Sequence, residues 1–360
     1  MSPTREERLL VMISGWGQVG PVAEDTRSIP EMVLVAVEAA LESSGLDYTD
    51  IDAVVTASVD LFDGLTASNI AVTEVVGAVM KPETRIAADG LCAAIHAACQ
   101  INAGAYDTVL VVAHAKASIA DYQTLTQWAL DPIYLQPLGL DFLSCAGLQA
   151  SAMAAGNQRV IERWAEIAAQ RRSCSARLPE RWITAHEILE SPLVATPLRA
   201  DMCAPMGDGA SACVLQRTDA DSTPACEIRI TGIGHDLAPN ALGDRDLTES
   251  AGLARACKRA YAMAGITHPT MELDLAEPSC IYPHEEELFR QAAQIDPEII
   301  VSPQGGLFAG YVPVVAGLSR LIAAASYLQS NNDCRRAIAH GHWGPAGQGQ
   351  AVVILECCRP

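Results

Sequence analysis

The segment at residues 84–118 constrains the fold of this chain most, because it predicts a strand, a helix and a second strand in close succession. Residues 85–88 form a short predicted strand, which turns at Asp89 into an alanine-rich helix over residues 91–102. The apolar, β-branched run at residues 107–113 is typical of a strand that is buried on both faces. Strands and helices that alternate in this way indicate an α/β protein.

Cys92 falls in the first turn of the predicted helix. The N-terminus of a helix carries partial positive charge and free N–H groups, both of which favour a thiolate over a thiol. A cysteine in that position is pre-activated to attack an acyl carbonyl, and we therefore predict that Cys92 is a nucleophile. The alternative is that Cys92 is one of several small, inert side chains of a core helix.

Predicted strands and helices alternate on both sides of a polar, turn-rich stretch at residues 219–224, which is the best candidate for a linker. The order of elements is similar in the two parts. The sequence therefore predicts two α/β halves, residues 1–220 and 221–360, with mostly parallel sheets covered by helices. Residues 119–147 lack clear periodicity and predict a loop insertion into the first half, and such loops often line a functional site. Residues 148–170 are predicted to be helical, with a break at Gly156 and Asn157, and His284 is expected on the surface because it stands in a run of glutamates at a helix start.

The charge and the cysteine content exclude several classes of function. A net charge of −19 argues against nucleic acid or an anionic membrane as the main partner. Residues 1–8 are polar and charged, so no signal peptide is predicted, and no apolar run is long enough to span a membrane. The twelve cysteines are scattered without metal-ligand spacing, which predicts reduced thiols in a cytoplasmic protein with no bound metal or cofactor.

Several stretches along the sequence carry a family resemblance. They are, in chain order, DGLCAAIHAA from residue 89, SPLVATPLRADMCAPMGDGASACVL from residue 191, RACKRAYAMAGI from residue 255, VSPQGGLFAG from residue 301 and AHGHWGPAGQGQAVVILE from residue 339. In their order and spacing they resemble the thiolase superfamily, in particular the sterol-carrier-protein-type thiolases and their thiolase-like relatives. The resemblance implies two similar αβαβα halves with mostly parallel five-stranded sheets, a homodimer, and transfer of an acyl group carried on Cys92.

Three positions depart from the pattern of that superfamily. Its members place a histidine after the Gly-Gly loop, whereas Tyr311 occupies the corresponding position here. They also carry an asparagine or histidine shortly after the glutamate of the second half, and neither follows Glu277. Their second catalytic cysteine lies in the C-terminal glycine-rich turn, which here holds His340, His342 and Trp343 instead. An ordinary degradative thiolase is therefore not the leading prediction.

The departures are similar to the thiolase-like subunit of monoacetylphloroglucinol acetyltransferase, in which a histidine of the C-terminal turn serves as the base. By that resemblance, His342 or His340 activates Cys92, and Tyr311 donates a proton or a hydrogen bond. The same resemblance implies a small partner subunit of the OB-fold or zinc-ribbon type. Further candidates for the oxyanion site or the substrate pocket are Gly347, Gly349, Gly306, Trp343 and Cys145.

Three functions remain open from the sequence. The leading prediction is an acyltransferase or condensing enzyme of specialised metabolism, which takes acyl-CoA or another activated acyl donor and forms a C–C bond through acyl-Cys92. The first alternative is a CoA-dependent 3-oxoacyl-CoA thiolase with an altered base. The second is a protein without acyl-enzyme chemistry, either a non-acylating subunit or a thiolase-like retro-aldolase that relies on Tyr311 and a small partner.

Overall fold

Strands and helices alternate along the chain, and this confirms the predicted α/β class. A computed structural model describes residues 9–174, 183–218 and 227–359, so the predicted linker at residues 219–224 lies outside the described residues. The elements that precede residue 219 are β1 (Val11–Val22), α1 (Ile29–Ser44), β2 (Ala53–Ala57), α2 (Asp60–Asp63), β3 (Glu83–Ile86), α3 (Gly90–Asn102), β4 (Thr108–Lys116), α4 (Tyr122–Trp128), α5 (Phe142–Ala154), α6 (Gln158–Ser173), α7 (Ala185–Glu190), β5 (Leu193–Ala195), β6 (Leu198–Arg199) and β7 (Asp208–Arg217). Those that follow residue 226 are β8 (Glu227–Leu237), α8 (Ala251–Ala264), α9 (Pro269–Glu272), β9 (Leu275–Glu277), α10 (Pro283–Ala293), β10 (Ile300–Val301), α11 (Ala316–Ser330), β11 (Arg336–Trp343) and β12 (Gly349–Cys358).

Ten strands form one continuous sheet in the order β10-β9-β11-β12-β8-β1-β7-β4-β2-β3, with five strands from each side of the 219–226 gap. The two groups of five meet where Val11–Ile13 of β1 pairs antiparallel with Ile228–Ile230 of β8. The outer strands pair in parallel, β2 with β3 and β4, and β9 with β10 and β11. The predicted parallel pairing is limited to these outer strands, because β7 and β12 each return antiparallel beside β4 and β11.

In each group of five strands, a glycine allows the first strand to contact the backbone of the first helix. A Cβ atom on Gly17 of β1 would lie 2.2 Å from the Ala36 carbonyl oxygen of α1, and one on Gly234 of β8 would lie 1.9 Å from the Ala256 carbonyl oxygen of α8. No larger residue fits at these positions without moving the helix. The Gly-Trp-Gly and Gly-Ile-Gly sequences therefore hold equivalent helix–strand contacts on both sides of the gap.

α3 and α11 pack against each other and against strands from both groups, so they form a central layer. Because protein surrounds α3, small side chains such as Ala94 and Ala97 are fully buried, and the helix has no broad polar face. Leu318 and Leu321 of α11 are equally inaccessible and belong to the same core cluster. The alanine-rich sequence of α3 is thus explained by close packing on several sides.

Asp89 connects the N-termini of the two central helices. Its Oδ1 atom accepts a hydrogen bond from the Leu91 N–H of α3 at 2.8 Å, and its Oδ2 atom accepts one from the Gly317 N–H of α11 at 2.9 Å. The side chain is buried, and burial raises the pKa of Asp89 to about 6 in spite of these two bonds. Gly341 of β11 lies against the same carboxylate, so Asp89 fixes two helices and a strand at one point.

The insertion at residues 119–147 contains more helix than its sequence predicted. α4 begins after Asp121, whose carboxylate accepts hydrogen bonds from the Gln123 and Thr124 N–H groups. α5 begins after Asp141, whose side chain accepts from the Ser144 N–H in the same manner. These aspartate N-caps explain why helices form where no hydrophobic periodicity is visible. The predicted helix break at Gly156 and Asn157 is confirmed, since α5 ends at Ala154 and α6 begins at Gln158.

We expect Gly317→Ala to destabilise the protein by about 3 kcal/mol, although alanine favours a helix over glycine. A Cβ atom at this position would lie 1.9 Å from Asp89 Oδ1, so the substitution would displace the carboxylate that joins α3 to α11. The matched control is Gly243→Ala, because a Cβ atom there meets nothing within 4 Å. Urea unfolding measures both variants, and equal stability for the two would contradict the role assigned to Asp89.

Candidate active site

A cavity of about 200 Å³ lies between the insertion and the strands and helices that follow residue 226. α4 and α5 supply one wall, and α10 with the end of β11 supplies the opposite wall. The insertion thus lines this cavity, and its role in a functional site stays a prediction. The lining side chains are mainly apolar or aromatic, with a few polar groups among them: Tyr122, Gln123, Thr126, Phe142, Leu143, Ala146, Cys203, Ala204, Met206, Ile281, Tyr282, Glu285, Tyr311 and His342.

His342 and Glu285 form a buried ion pair at the edge of this cavity. The distance between His342 Nε2 and Glu285 Oε2 is 3.6 Å. Glu285 Oε2 also accepts hydrogen bonds from the Ile281 and Tyr282 N–H groups, which fix the carboxylate. Burial is the largest single influence and lowers the pKa of His342, but the Glu285 carboxylate and, to a lesser degree, Asp89 together outweigh burial and raise the pKa. The pair can therefore hold and release a proton beside the cavity.

His340 lies two residues earlier on β11 but has a different environment. Its Nδ1 atom accepts a hydrogen bond from the Ser279 N–H at 3.3 Å, and its Nε2–H group then donates to Gln350 Oε1 at 2.7 Å. Burial and the neighbouring His342 lower the pKa of His340 to about 3. Both ring nitrogens are occupied and the ring is neutral, so His342 is the better candidate for the base.

Tyr311 lies in the cavity wall opposite the insertion. Its hydroxyl oxygen is 3.4 Å from that of Tyr122 in α4. Burial raises the pKa of Tyr122 to about 12 and that of Tyr311 well above its ordinary value, so both phenols stay protonated. One of the two O–H groups can donate to the other, and the remaining proton is free to donate to a substrate oxygen.

Cys92 lies in the first turn of α3, as predicted, but its environment does not favour the thiolate. The side chain is buried in the central core cluster, and it is absent from the residues that line the 200 Å³ cavity. Burial raises the pKa of the Cys92 thiol, and the nearby Asp89 carboxylate raises it further. Burial and, to a lesser degree, the Asp89 carboxylate at the helix cap therefore oppose the pre-activation that the helix N-terminus predicts.

Of the other predicted residues, Gly347 lines the cavity and four do not. Gly349 lies under the indole of Trp343, where a Cβ atom would be 2.1 Å from the ring, and Trp343 itself stacks on His235. Cys145 is fully buried within α5, one residue before the cavity-lining Ala146. Gly306 lines a separate groove of about 550 Å³ and is not among the residues that line the 200 Å³ cavity.

Several functional candidates were missed from the sequence. Glu285 stands in a run of glutamates that is typical of a solvated helix start, yet its side chain is only 12% exposed. His284 was expected on the surface for the same reason, and it is instead fully buried between the rings of Tyr282 and Trp164. Cys203 lines the cavity, and burial raises the pKa of its thiol to about 12. The spacing of Glu285 and Phe289 on one helical face was the one available signal of burial.

The described residues hold no cluster of three or more histidine, cysteine or carboxylate side chains suited to a metal ion. Across the same residues, no helix combines the length and the apolar character that crossing a membrane requires. Cys92, Cys145 and Cys203 are free thiols. The chemistry available at the cavity is therefore that of an imidazole–carboxylate pair, two phenols and nearby thiols.

No family model matches the sequence, but two acetyl-CoA acetyltransferases are similar to it. The acetyl-CoA acetyltransferase of Methanocaldococcus jannaschii is 28% identical over 284 residues, which cover 74% of this chain and 71% of that protein. The acetyl-CoA acetyltransferase of Methanothermobacter thermautotrophicus is 24% identical over 318 residues, covering 80% of this chain and 82% of that protein.

Two solved structures share the fold. The Ltp2–ChsH2(DUF35) aldolase superposes with a TM-score of 0.80 at 18% identity, over 97% of this chain and 98% of that chain. A monomeric SCP2-thiolase-like protein of type 1 from Mycobacterium smegmatis superposes with a TM-score of 0.75 at 19% identity, over 100% of this chain and 78% of that chain. Together with the sequence matches, these likenesses confirm the family resemblance that the sequence motifs predicted.

We expect Glu285→Gln to lower the pKa of His342, because the amide removes the charge that favours the imidazolium. NMR titration of the histidine ring protons measures the shift. Glu298→Gln, an exposed substitution beyond α10, is the matched control and should leave His342 unchanged. An unchanged His342 pKa in Glu285→Gln would show that the ion pair does not form.

His284 should make the protein less stable in acid. Burial lowers the pKa of His284 in the folded protein to about 4, below the unfolded value of about 6.5. The unfolded chain therefore binds more protons, so this contribution to stability is complete above pH 6.5 and is lost as the pH falls towards 4. Between pH 8 and pH 5, the free energy of unfolding should fall by about 2 kcal/mol less in His284→Phe than in wild type.

Urea unfolding at the two pH values measures this difference. His186→Phe is the control, because His186 is 78% exposed and the same substitution there should leave the pH dependence of stability unchanged. Parallel pH profiles for wild type and His284→Phe would refute the assignment of a neutral, buried imidazole.

Proposed function

The chain belongs to the thiolase superfamily, and on that premise we propose that it is an acyltransferase that forms a C–C bond through an acyl-Cys92 intermediate. One observation carries the proposal. Between His340 and His342, Gly341 packs on the turn that begins α3, where a Cβ atom would lie 3.0 Å from Leu91 Cβ. The strand that presents the His342–Glu285 pair is therefore in contact with the first turn of the nucleophile helix.

The proposed reaction has two half-reactions. In the first, His342 takes the proton of the Cys92 thiol, the sulfur attacks the acyl carbonyl carbon, and the donor thiolate leaves with that proton. In the second, His342 removes a proton from the acceptor carbon, the resulting carbanion attacks the acyl-cysteine carbonyl, and the expelled Cys92 thiolate takes that proton from His342. The Tyr311 hydroxyl donates to a carbonyl oxygen, and the cavity-lining Gly347 offers a backbone N–H to the oxyanion.

Because the pKa of Cys92 is raised, this scheme requires a base to remove the proton from the thiol. A thiol that ionises on its own needs no base, whereas a buried thiol beside Asp89 remains protonated at neutral pH. His342, paired with Glu285, is the group able to receive that proton as the substrate carbonyl arrives. A CoA-dependent thiolase would run the same steps in the direction of cleavage, so the two functions share one site.

A second candidate function is a retro-aldolase. The burial of Cys92 and the phenol pair of Tyr122 and Tyr311 in the cavity wall favour it. In this reaction His342 or a phenol would take the proton of a β-hydroxyl group, the C–C bond would break, and no adduct would form on any cysteine. One solved structure of similar fold is named an aldolase in complex with a DUF35 protein.

We also propose partners on the basis of the surface. Large apolar side chains of the insertion are well exposed, among them Trp128 at 60%, Ile133 at 70% and Tyr134 at 75%. Exposed apolar side chains that lie together commonly mark an interaction surface. A homodimer and a small OB-fold or zinc-ribbon subunit are the partners that we propose, in a cytoplasmic setting and with activated acyl donors as substrates. The acceptor of specialised metabolism and the likeness to the phloroglucinol enzyme stay predictions.

The first test is intact-protein mass spectrometry after incubation with a panel of acyl-CoA and acyl-phenol donors. We expect an acyl adduct on wild type that is absent from Cys92→Ala. Cys99→Ala, on the exposed side of the same helix, is the matched control and should acylate like wild type. We expect His342→Asn to acylate at least about 100-fold more slowly, because the base is lost.

Adduct formation that survives Cys92→Ala would move the nucleophile elsewhere, and Cys203 would be the next thiol to test. If no donor gives an adduct, while a β-hydroxyacyl thioester is cleaved to an aldehyde or ketone, the retro-aldolase is the correct function. Cys92→Ala then separates the two schemes, because only the acyltransferase forms a bond to that thiol, whereas the retro-aldolase should keep its activity.

A further inference from the structure

Two further cavities continue from the main cavity past the His342–Glu285 pair. The first has a volume of about 30 Å³ and shares His342, Glu285 and Gly347 with the main cavity. The second has a volume of about 200 Å³ and shares Gln149, Ser250 and Gly347 with the first. The three spaces therefore form a series, and the His342–Glu285 pair lies between the substrate cavity and the other two.

The 30 Å³ chamber is large enough for one water molecule, and its lining combines apolar side chains such as Leu253 and Phe289 with polar groups. His342 lines it, and among the described residues neither ring nitrogen of His342 has a partner within hydrogen-bond distance, since Glu285 Oε2 lies 3.6 Å from Nε2. The His342 side chain is only 7% exposed, so these atoms need a partner inside the protein. Gln149 and Gln350 are both 5% exposed and line the same chamber, which adds amide groups within a small space.

The outer cavity has an acidic rim. Asp244, Asp246 and Glu249 line it, and its floor reaches Ser250 and the turn that contains Gly347. Arg245 holds that turn through hydrogen bonds to the Pro345 and Ala346 carbonyl oxygens, at 2.8 and 3.2 Å. Arg255 also lines this cavity and is paired with Asp236, so three carboxylates and two guanidinium groups surround the outer cavity.

We propose that the chamber holds one water molecule that relays protons between the His342–Glu285 pair and the acidic outer cavity. The proposal rests on the proposed function in one respect, namely that His342 accepts and returns a proton in each half-reaction. In the relay, the imidazolium gives its proton to the water, which passes a proton to solvent at the rim. A proton that travels in the opposite direction protonates His342 again. The other titratable groups that face His342 are Asp89, His284 and the neutral His340.

A separate path is needed because the substrate cavity is largely apolar and is filled during turnover. Its polar lining is limited to a few groups around His342 and Glu285, and a bound acyl group would exclude water from them. His342 can accept the Cys92 proton only as the neutral imidazole, so a proton held on the resting pair has to leave before the first half-reaction. The chamber connects to the pair on a side that the substrate does not occupy, so protonation can adjust while the acyl group is bound.

Ser250 offers a matched pair of variants for testing the relay. It precedes α8, its side chain makes no capping hydrogen bond, and it lines both small cavities. Ser250→Leu should obstruct the chamber, whereas Ser250→Ala leaves it open. We expect Ser250→Leu to lower kcat about tenfold with KM unchanged and to increase the solvent deuterium isotope effect, while Ser250→Ala stays within twofold of wild type.

Two readouts do not depend on the reaction. A crystal structure at a resolution of about 1.5 Å or better should show a water within hydrogen-bond distance of a His342 ring nitrogen in wild type and none in Ser250→Leu. NMR relaxation dispersion near the His342 pKa should show proton exchange at the ring at least about fivefold slower in Ser250→Leu than in Ser250→Ala.

The outcomes separate the relay from the proposed function. Slower exchange in Ser250→Leu with no acyl adduct in wild type would retain the relay and overturn the acyltransferase. An acyl adduct with equal exchange in both Ser250 variants would overturn the relay and retain the acyltransferase. A chamber without water in wild type overturns the relay as well, and circular dichroism confirms that each variant is folded.

Discussion

A buried carboxylate at the meeting point of two helix N-termini organises this protein. Asp89 accepts one backbone N–H from each of the two central helices, and the glycines at positions 317 and 341 leave it room. Its position fixes α3, α11 and β11 relative to one another, and β11 carries His342 to the cavity edge. The same negative charge raises the pKa of both Cys92 and His342. One residue thus sets the geometry of the site and the proton affinity of its main groups.

The environment of the site keeps its thiol and phenol groups protonated and weakly reactive when no substrate is bound. A protonated, buried thiol reacts slowly with oxidants and electrophiles, whereas an exposed thiolate is modified readily. His342 holds its proton more firmly because of Glu285, and the phenols of Tyr122 and Tyr311 stay neutral. Charge therefore has to be rearranged when a substrate arrives. Enzymes that proceed through reactive acyl intermediates benefit from such restraint, since stray nucleophiles and water are excluded until that moment.

The sequence predicted the scaffold well because buried strands and helices leave periodic patterns. The unit around Cys92 and the helix break near residue 156 lie where hydrophobicity and glycine predicted them. The polar parts of the site were harder to predict, because burial of a charged residue depends on partners that are distant in sequence. Glu285 and His284 looked like a solvated helix start, although the chain folds α6 over them. The helix N-terminus predicted a lowered pKa for Cys92, but burial and, to a lesser degree, the negatively charged cap residue raise it.

The paired glycines of β1 and β8 have a consequence for how such a fold diverges. At these contacts, helix and strand touch through backbone atoms, so their separation does not depend on the size of any side chain. Substitutions elsewhere on α1 and α8 can then accumulate without changing the spacing of the layers. A scaffold held by main-chain contact is free to replace most of its side chains, the catalytic ones included. This accounts for how a chain with 18% identity to another can keep the same fold over nearly its whole length.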